Sequence, residues 1–207
     1  MYPNPIQEFI ARFASLPSIG PRQASRLAFH LLKKSTGELQ DYANVILALH
    51  QDLNVCAECF YVSGGKDKNC EICNDPERDQ SVICVVEKET DAVAIEKTGR
   101  FKGLYHVLGG TISKLEPESY KKLRVKELFE RIKTSQKDKT PVKEAILALN
   151  PTPEGDMTAL YLERVLKATG VKITRLGRGL PSGADMEFAD EETLGEALDS
   201  RKEMKTK

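Results

Sequence analysis

"SVICVVEKETDAVAIEKTGRFKGLYHVLGG", residues 81–110, decides the fold class. "SVICVV" reads as a strand buried on both faces, because it is an unbroken apolar run bounded by polar text. "TDAVAIEKT" follows as a helix and "GLYHVL" as a second strand. Moving downstream, the same alternation continues: helix "RVKELFERIKT" (124–134), strand "EAILALN" (144–150), helix "GDMTALYLERVLKAT" (155–169) and strand "VKITRL" (171–176). Strands alternating with helices build a mostly parallel sheet covered on both faces, so residues 79–175 read as one α/β domain. Beyond it, residues 176–207 hold a glycine-rich connection, a short helix from about Asp190 to Asp199 and a charged tail, a segment expected to stabilise an oligomer.

Upstream the text changes twice. Residues 54–78 are rich in cysteine, glycine, asparagine and aspartate and show no periodicity, so this segment lacks a core of its own. Residues 1–53 are helical. Ile6, Phe9, Ile10 and Phe13 keep helical spacing in a helix over 5–16. "LPSIGPR" breaks it, and Pro21 suits the first turn of a second helix over about 22–34. A third helix over about 38–54 carries Leu39, Tyr42, Ile46, Leu49 and Leu53, a seam suited to packing along a helix of this chain or of a second subunit.

Lysine plus arginine equals aspartate plus glutamate at 31 each, so bulk charge points to neither nucleic acid nor membrane, and any such binding must come from local patches. No apolar run is long enough to span a bilayer, and "MYPNPIQEFI" lacks the pattern of a signal peptide, which leaves the cytoplasm as the expected location. In a reducing compartment the five cysteines are ligands or core residues rather than disulfides.

Four of them, Cys56, Cys59, Cys70 and Cys73, form two C-x-x-C knuckles ten residues apart. Each knuckle turns two thiolates to one point, and two knuckles complete a tetrahedral sulfur site for a structural zinc ion. A redox dithiol pair or an iron–sulfur centre would use the same residue type but fits a polar hairpin less well. Cys84, inside "VICVV", reads as a small core residue. "LPSIGPRQASRLAFHLL" describes a helix-hairpin-helix, in which the turn offers backbone amides to a phosphate and Arg22 and Arg26 add positive charge. The plainer reading is a helical hairpin with a solvated polar face.

A third set is acidic. Glu87 follows "VICVV", Asp91 lies one helical turn further, and Glu154 and Asp156 follow "AILALN". In open α/β sheets ligands gather beyond the carboxyl ends of the strands, so if the first and third strands are neighbours these acids converge on one crevice that could hold Mg²⁺. On arrangement alone the simpler reading is favoured, that acids at helix N-termini complement the dipole. No G-x-x-x-x-G-K-[ST] loop occurs, which argues against ATP hydrolysis, and His30, His50 and His106 have no partnered nucleophile nearby in sequence.

Taken in order, "LPSIGPRQASRLAFHLL", the four cysteines, "ICVVEKETDAVAIE", "HVLGG", "NPTPEGDMTALYL" and "RLGRGLPSGADMEFADEETLGEAL" resemble the RecR family of bacterial recombination mediators over nearly the whole chain. The resemblance implies a Toprim α/β domain, the fold shared with primases and topoisomerases, whose acids bind metal for phosphodiester chemistry. It also implies a ring-like oligomer, often a tetramer enclosing DNA, that works with RecO and RecF to load RecA onto single-stranded gaps. On that basis Arg22 and Arg26 fall at DNA-contacting positions and Cys56, Cys59, Cys70 and Cys73 at zinc ligands. Glu87, Asp91, Glu154 and Asp156 fall at the Toprim acids, as a docking surface for a basic partner or a weak Mg²⁺ site. The segment "TISKLEPESYKKLRVKEL" departs from the family's pattern, as does "EGD" in place of the enzymes' Asp-x-Asp. A non-enzymatic mediator is favoured over a Mg²⁺-dependent nuclease or primase-like phosphotransferase, because no further nucleophile or template-handling module is present.

Overall fold

The computed structural model describes residues 2–116, 118–137, 140–201 and 203. They fall into two compact units, Met1–Leu53 and Asn54–Lys207.

The first unit is helical. α1 (Asn4–Phe13) and α2 (Pro21–Leu31) form a hairpin whose interface is built on Ala24 and Ala28, two small residues one turn apart that let the helices approach closely. The hairpin turn is closed by the Ile19 amide donating to the Leu16 carbonyl at 3.1 Å, with Ser18 in the left-handed region at φ 63°. α3 (Thr36–Gln51) begins two residues before the position expected from its apolar seam. The cause is Ser35, which accepts from the Glu38 amide while the Glu38 carboxylate accepts from the Ser35 amide at 2.9 Å, a reciprocal cap. α3 buries none of its residues: Tyr42, Ile46 and Leu49 are all exposed. Leu53, expected on the same seam, belongs instead to a short strand.

That strand, β1 (Leu53–Val55), pairs with β2 (Val62–Gly64), and with one turn of helix, α4 (Glu71–Asn74), it frames the four cysteines. The segment that has no periodicity in the sequence is a two-stranded ribbon and a single turn of helix around its cysteine knuckles.

The rest of the second unit is a four-stranded parallel sheet in the order β4-β3-β5-β6, from β3 (Asp79–Val86), β4 (Gly103–Val107), β5 (Glu144–Ala148) and β6 (Lys172–Arg175). The period-two alternation of side chains divides it into two cores. Ile83, Val85, Ala145 and Leu147 face α6 (Val125–Ser135) and α7 (Pro153–Leu166), meeting Leu128, Ile132, Leu162 and Leu166. Cys84, Val86, Tyr105 and Val107 face the other way, toward α5 (Glu89–Glu96) and toward Phe60, Tyr61 and Ile72 of the cysteine segment. Burial pushes the Cys84 thiol up to about 12, as befits a core residue. The cysteine segment thus completes the cover of one face of the sheet, which parallel strands require.

Arg78 fastens the same corner, donating from both terminal nitrogens to Glu96 at 2.8 Å, while the buried Tyr105 hydroxyl donates to Glu96 Oε1 at 2.7 Å. The C-terminal segment ends in α8 (Glu191–Asp199), capped by Asp190, which accepts from the Thr193 amide at 2.8 Å.

Candidate nucleic-acid interface, metal centre and acidic crevice

Arg22 and Arg26 lie one turn apart at the start of α2, both exposed, and line a groove of about 720 Å³ with Tyr2, Gln7 and Ile10. Among the described residues neither arginine is in an ion pair, so their charge is free for an outside anion. Pro21 occupies the first helical position, where a missing N–H costs nothing, and the Gly20 amide is met by Gln23 Oε1 at 3.0 Å. The amides of Arg22 and Gln23 belong to the first turn, which has no intrahelical acceptors, and they add the positive end of the helix dipole to the two guanidiniums.

The four cysteines converge. Their sulfur atoms all lie within 4.8 Å of one another, and Cys56, Cys59 and Cys70 are buried. A tetrahedral metal with bonds of about 2.3 Å to sulfur sets its ligands roughly 3.8 Å apart, so this donor set fits a zinc-sized ion without an open position. The local electrostatics call for a cation. Burial pushes the Cys56 thiol up, but amides of Cys59, Cys70 and Glu58 outweigh it and bring the group down to about 7. Burial raises Cys70 to about 11, and Cys59 is raised first by its hydrogen bond with Cys73 and then by burial. One thiolate forms readily and the next ones resist, unless a metal ion supplies the compensating charge.

The cluster is joined to the sheet by its own backbone: the Val107 amide donates to the Cys59 carbonyl at 2.8 Å. Arg131 on α6 donates to the Tyr105 carbonyl at 2.6 Å and reaches Glu58 at 3.7 Å and Cys73 Sγ at 4.0 Å. Arg124 lies over the Phe60 ring, 4.9 Å from its centroid. His106 beneath it is fully buried, and its Nε2 is 2.9 Å from the Arg124 carbonyl, so that nitrogen is the one that donates. Burial holds its pKa down at about 3, a neutral structural imidazole.

The acids are arranged differently. β3 and β5 are neighbours, with Val86 paired to Ala148, so Glu87 and the residues after β5 share one end of the sheet. Glu87, only 9% exposed, accepts from the Asn150 amide and from Asn150 Nδ2, both at 2.7 Å. Asp91 accepts from the Lys88 amide at 3.2 Å and closes the first turn of α5. Glu154 sits in the first turn of α7, which Thr152 caps by accepting from the Gly155 amide at 3.1 Å. Asp156 Oδ1 accepts from Arg175 at 2.7 Å and from Arg178, and those two guanidiniums hold its carboxyl below the usual range. A crevice of about 710 Å³ opens here, walled by Asp91, Ile95, Leu149, Asn150, Arg175 and Arg178. Among the described residues the cysteines are the only group of three or more His, Cys, Asp or Glu side chains close enough to share an ion, and the four acids are not brought together.

Four residues escape a reading of the sequence: Asn150 as the partner of Glu87, Arg175 and Arg178 as the partners of Asp156, and Arg131 at the cysteine cluster. For Asn150 the only signal is its place directly after the third strand, and for the arginine pair its place at and just beyond the fourth.

A parallel sheet with acids beyond its carboxyl ends is the arrangement of a Toprim domain, and the family model described as "Toprim domain" matches residues 81–177. The models "RecR, helix-hairpin-helix" and "RecR, C-terminal" match residues 6–50 and 179–202. The chain is 48% identical over 204 residues to recombination protein RecR of Moorella thermoacetica, covering 98% of each chain. It is 46% identical over 202 residues to that of Thermobifida fusca, again covering 98% of each. The chain belongs to the RecR family of recombination proteins. No described helix is long and apolar enough to cross a membrane.

Proposed function

We propose that this chain is a non-enzymatic mediator of recombinational DNA repair, a homo-oligomeric ring or clamp that binds DNA without reading its sequence. With RecO and RecF it helps load RecA onto gapped single-stranded DNA. The observation that carries this reading is the exposed and unpaired Arg22 and Arg26 pair on the hairpin, in a family whose members are recombination proteins. Contacts of this kind neutralise phosphates and read no base edges. Because the chain has no net charge, one copy binds weakly, and several hairpins in a ring raise the effective concentration on one duplex.

In this reading the four cysteines hold a structural zinc ion that fixes the segment to the sheet. Asp91 on the wall of the crevice and Glu154 in the first turn of α7 serve as the docking surface for a basic partner. Arg22→Glu combined with Arg26→Glu tests the DNA site by fluorescence anisotropy on labelled duplex. Binding should fall at least tenfold at low salt with the thermal unfolding midpoint unchanged. A folded double variant that binds like the parent contradicts the assignment.

A further inference from the structure

Two of the four acids at this end of the sheet, Glu87 and Asp156, are already engaged by donors of the protein. Both oxygens of Glu87 are used by Asn150. Asp156 Oδ1 receives two guanidinium groups, from Arg175 at the end of β6 and from Arg178 three residues on. Arg178 then turns its other terminal nitrogen to Glu196 Oε1 on α8 at 2.6 Å, and its carbonyl accepts from the Ser200 hydroxyl at 2.7 Å. The Arg178 guanidinium, on the connection after β6, therefore joins the N-terminus of α7 through Asp156 to α8 through Glu196. Arg178 is the more enclosed of the pair, with 22% of its side chain exposed against 38% for Arg175.

We infer that Arg175 and Arg178 form a built-in counter-cation which takes the place of a divalent ion at Asp156 and, through Glu196, staples the C-terminal segment to the α/β domain. Three physical arguments support it. A divalent ion approaching Asp156 meets two positive charges within a few ångströms, a repulsion that solvent weakens but does not remove at a carboxylate whose side chain is 40% exposed. Mg²⁺ also demands near-octahedral oxygen geometry and gives up its water reluctantly, whereas Asp156 Oδ1 is already engaged by two guanidinium groups. Finally, a guanidinium does not lose its proton at any ordinary pH, so the clamp is permanent in a way that a lysine or histidine would not be.

The same contacts explain why α8, which buries none of its own residues, has a defined place. Its link to the domain is the chain Asp156, Arg178, Glu196, seconded by Ser200. The "EGD" motif gains a role too, since Asp156 serves as the anchor for a segment of the same chain.

The test uses the full chain with its cysteine site loaded with zinc, titrated with Mn²⁺ and followed by the loss of the free-ion electron paramagnetic resonance signal. Mn²⁺ prefers oxygen ligands, so the thiolate site does not compete for it. The parent should bind Mn²⁺ no tighter than Asp156→Asn. Arg175→Gln with Arg178→Gln should gain a site at least tenfold tighter than the parent, and adding Asp156→Asn to that pair should remove it. Two results overturn the inference: tight Mn²⁺ binding by the parent that Asp156→Asn abolishes, or no gain in the folded double variant. Should the double variant fail to fold, Arg178→Gln alone carries the test, with at least a threefold gain in affinity and faster proteolysis within residues 179–201. No change in either measure refutes it. Glu196→Gln separates the two roles: proteolysis should quicken while Mn²⁺ binding stays that of the parent, and a gain of Mn²⁺ there contradicts the assignment of exclusion to the arginines.

Discussion

Glu87→Ala should destabilise the 54–207 unit by about 3 kcal/mol. The carboxylate makes two short hydrogen bonds to Asn150, both at 2.7 Å, and is 9% exposed. Hydrogen bonds to charged groups contribute roughly 1.5–3 kcal/mol each. Of the two donors, Asn150 Nδ2 belongs to an exposed residue and recovers part of its loss by turning to water, but the backbone amide is fixed by the end of β5. One full loss and one partial loss give about 3 kcal/mol. For a unit of this size each kcal/mol shifts the melting temperature by about 2–4 °C, so the midpoint should fall by roughly 6–12 °C. Glu87→Gln should be far milder, about 1 kcal/mol, because one oxygen remains for the Asn150 amide and the Asn150 side chain can flip to present its own oxygen to the new NH₂. Urea unfolding followed by circular dichroism reads both. An alanine variant as stable as the parent, or more stable, would show that the Asn150 contacts do not hold Glu87 in a structural role, since that is how a carboxylate kept free for a ligand behaves when it is removed.

Gly155→Ala should cost at least about 3 kcal/mol, because a Cβ there would lie 2.1 Å from the Asn150 carbonyl oxygen, backbone that cannot rotate away. Its check is thermal unfolding, and a midpoint within a degree of the parent contradicts the close approach. Removing metal with a chelator should speed proteolysis within residues 54–78 while the far-ultraviolet signal of the sheet persists, and unchanged protease resistance shows that metal does not organise the segment. His106 sets a pH dependence. Its folded pKa is about 3 and lies below the ordinary 6.5, so the unfolded chain takes up a proton first. The stability this difference confers is complete above pH 6.5 and is lost as pH falls toward 3, at up to about 1.4 kcal/mol per pH unit. His106→Phe should flatten the fall of stability between pH 6 and 4, and an unchanged slope assigns the acid sensitivity elsewhere.

The alternation around "SVICVV" made the parallel sheet legible, because buried strands and covering helices have different apolar periods. The cysteine pairs were legible for a similar reason: a short fixed spacing within each knuckle forces the sulfur atoms together. Other features depend on residues distant in sequence. Phe60, Tyr61 and Ile72 look like stray apolar residues in a polar segment, and only the fold shows them covering Tyr105 and Val107. With 31 charges of each sign, nothing in the text selects Arg175 and Arg178 as the partners of Asp156, which precedes them by 19 and 22 positions. The same holds for Glu87, where a carboxylate placed like a metal ligand turned out to be bonded to a backbone amide 63 residues away.

In the proposed function the chain holds DNA and performs no chemistry on it. Incubating the zinc-loaded protein with labelled gapped DNA and either Mg²⁺ or Mn²⁺, and scoring binding and cleavage on the same samples, separates a DNA-holding ring from a nuclease. Binding should weaken steeply with salt and be lost in Arg22→Glu with Arg26→Glu, and the DNA should stay intact with either ion. Specific cleavage that requires the divalent ion and disappears in Glu87→Gln would contradict that function.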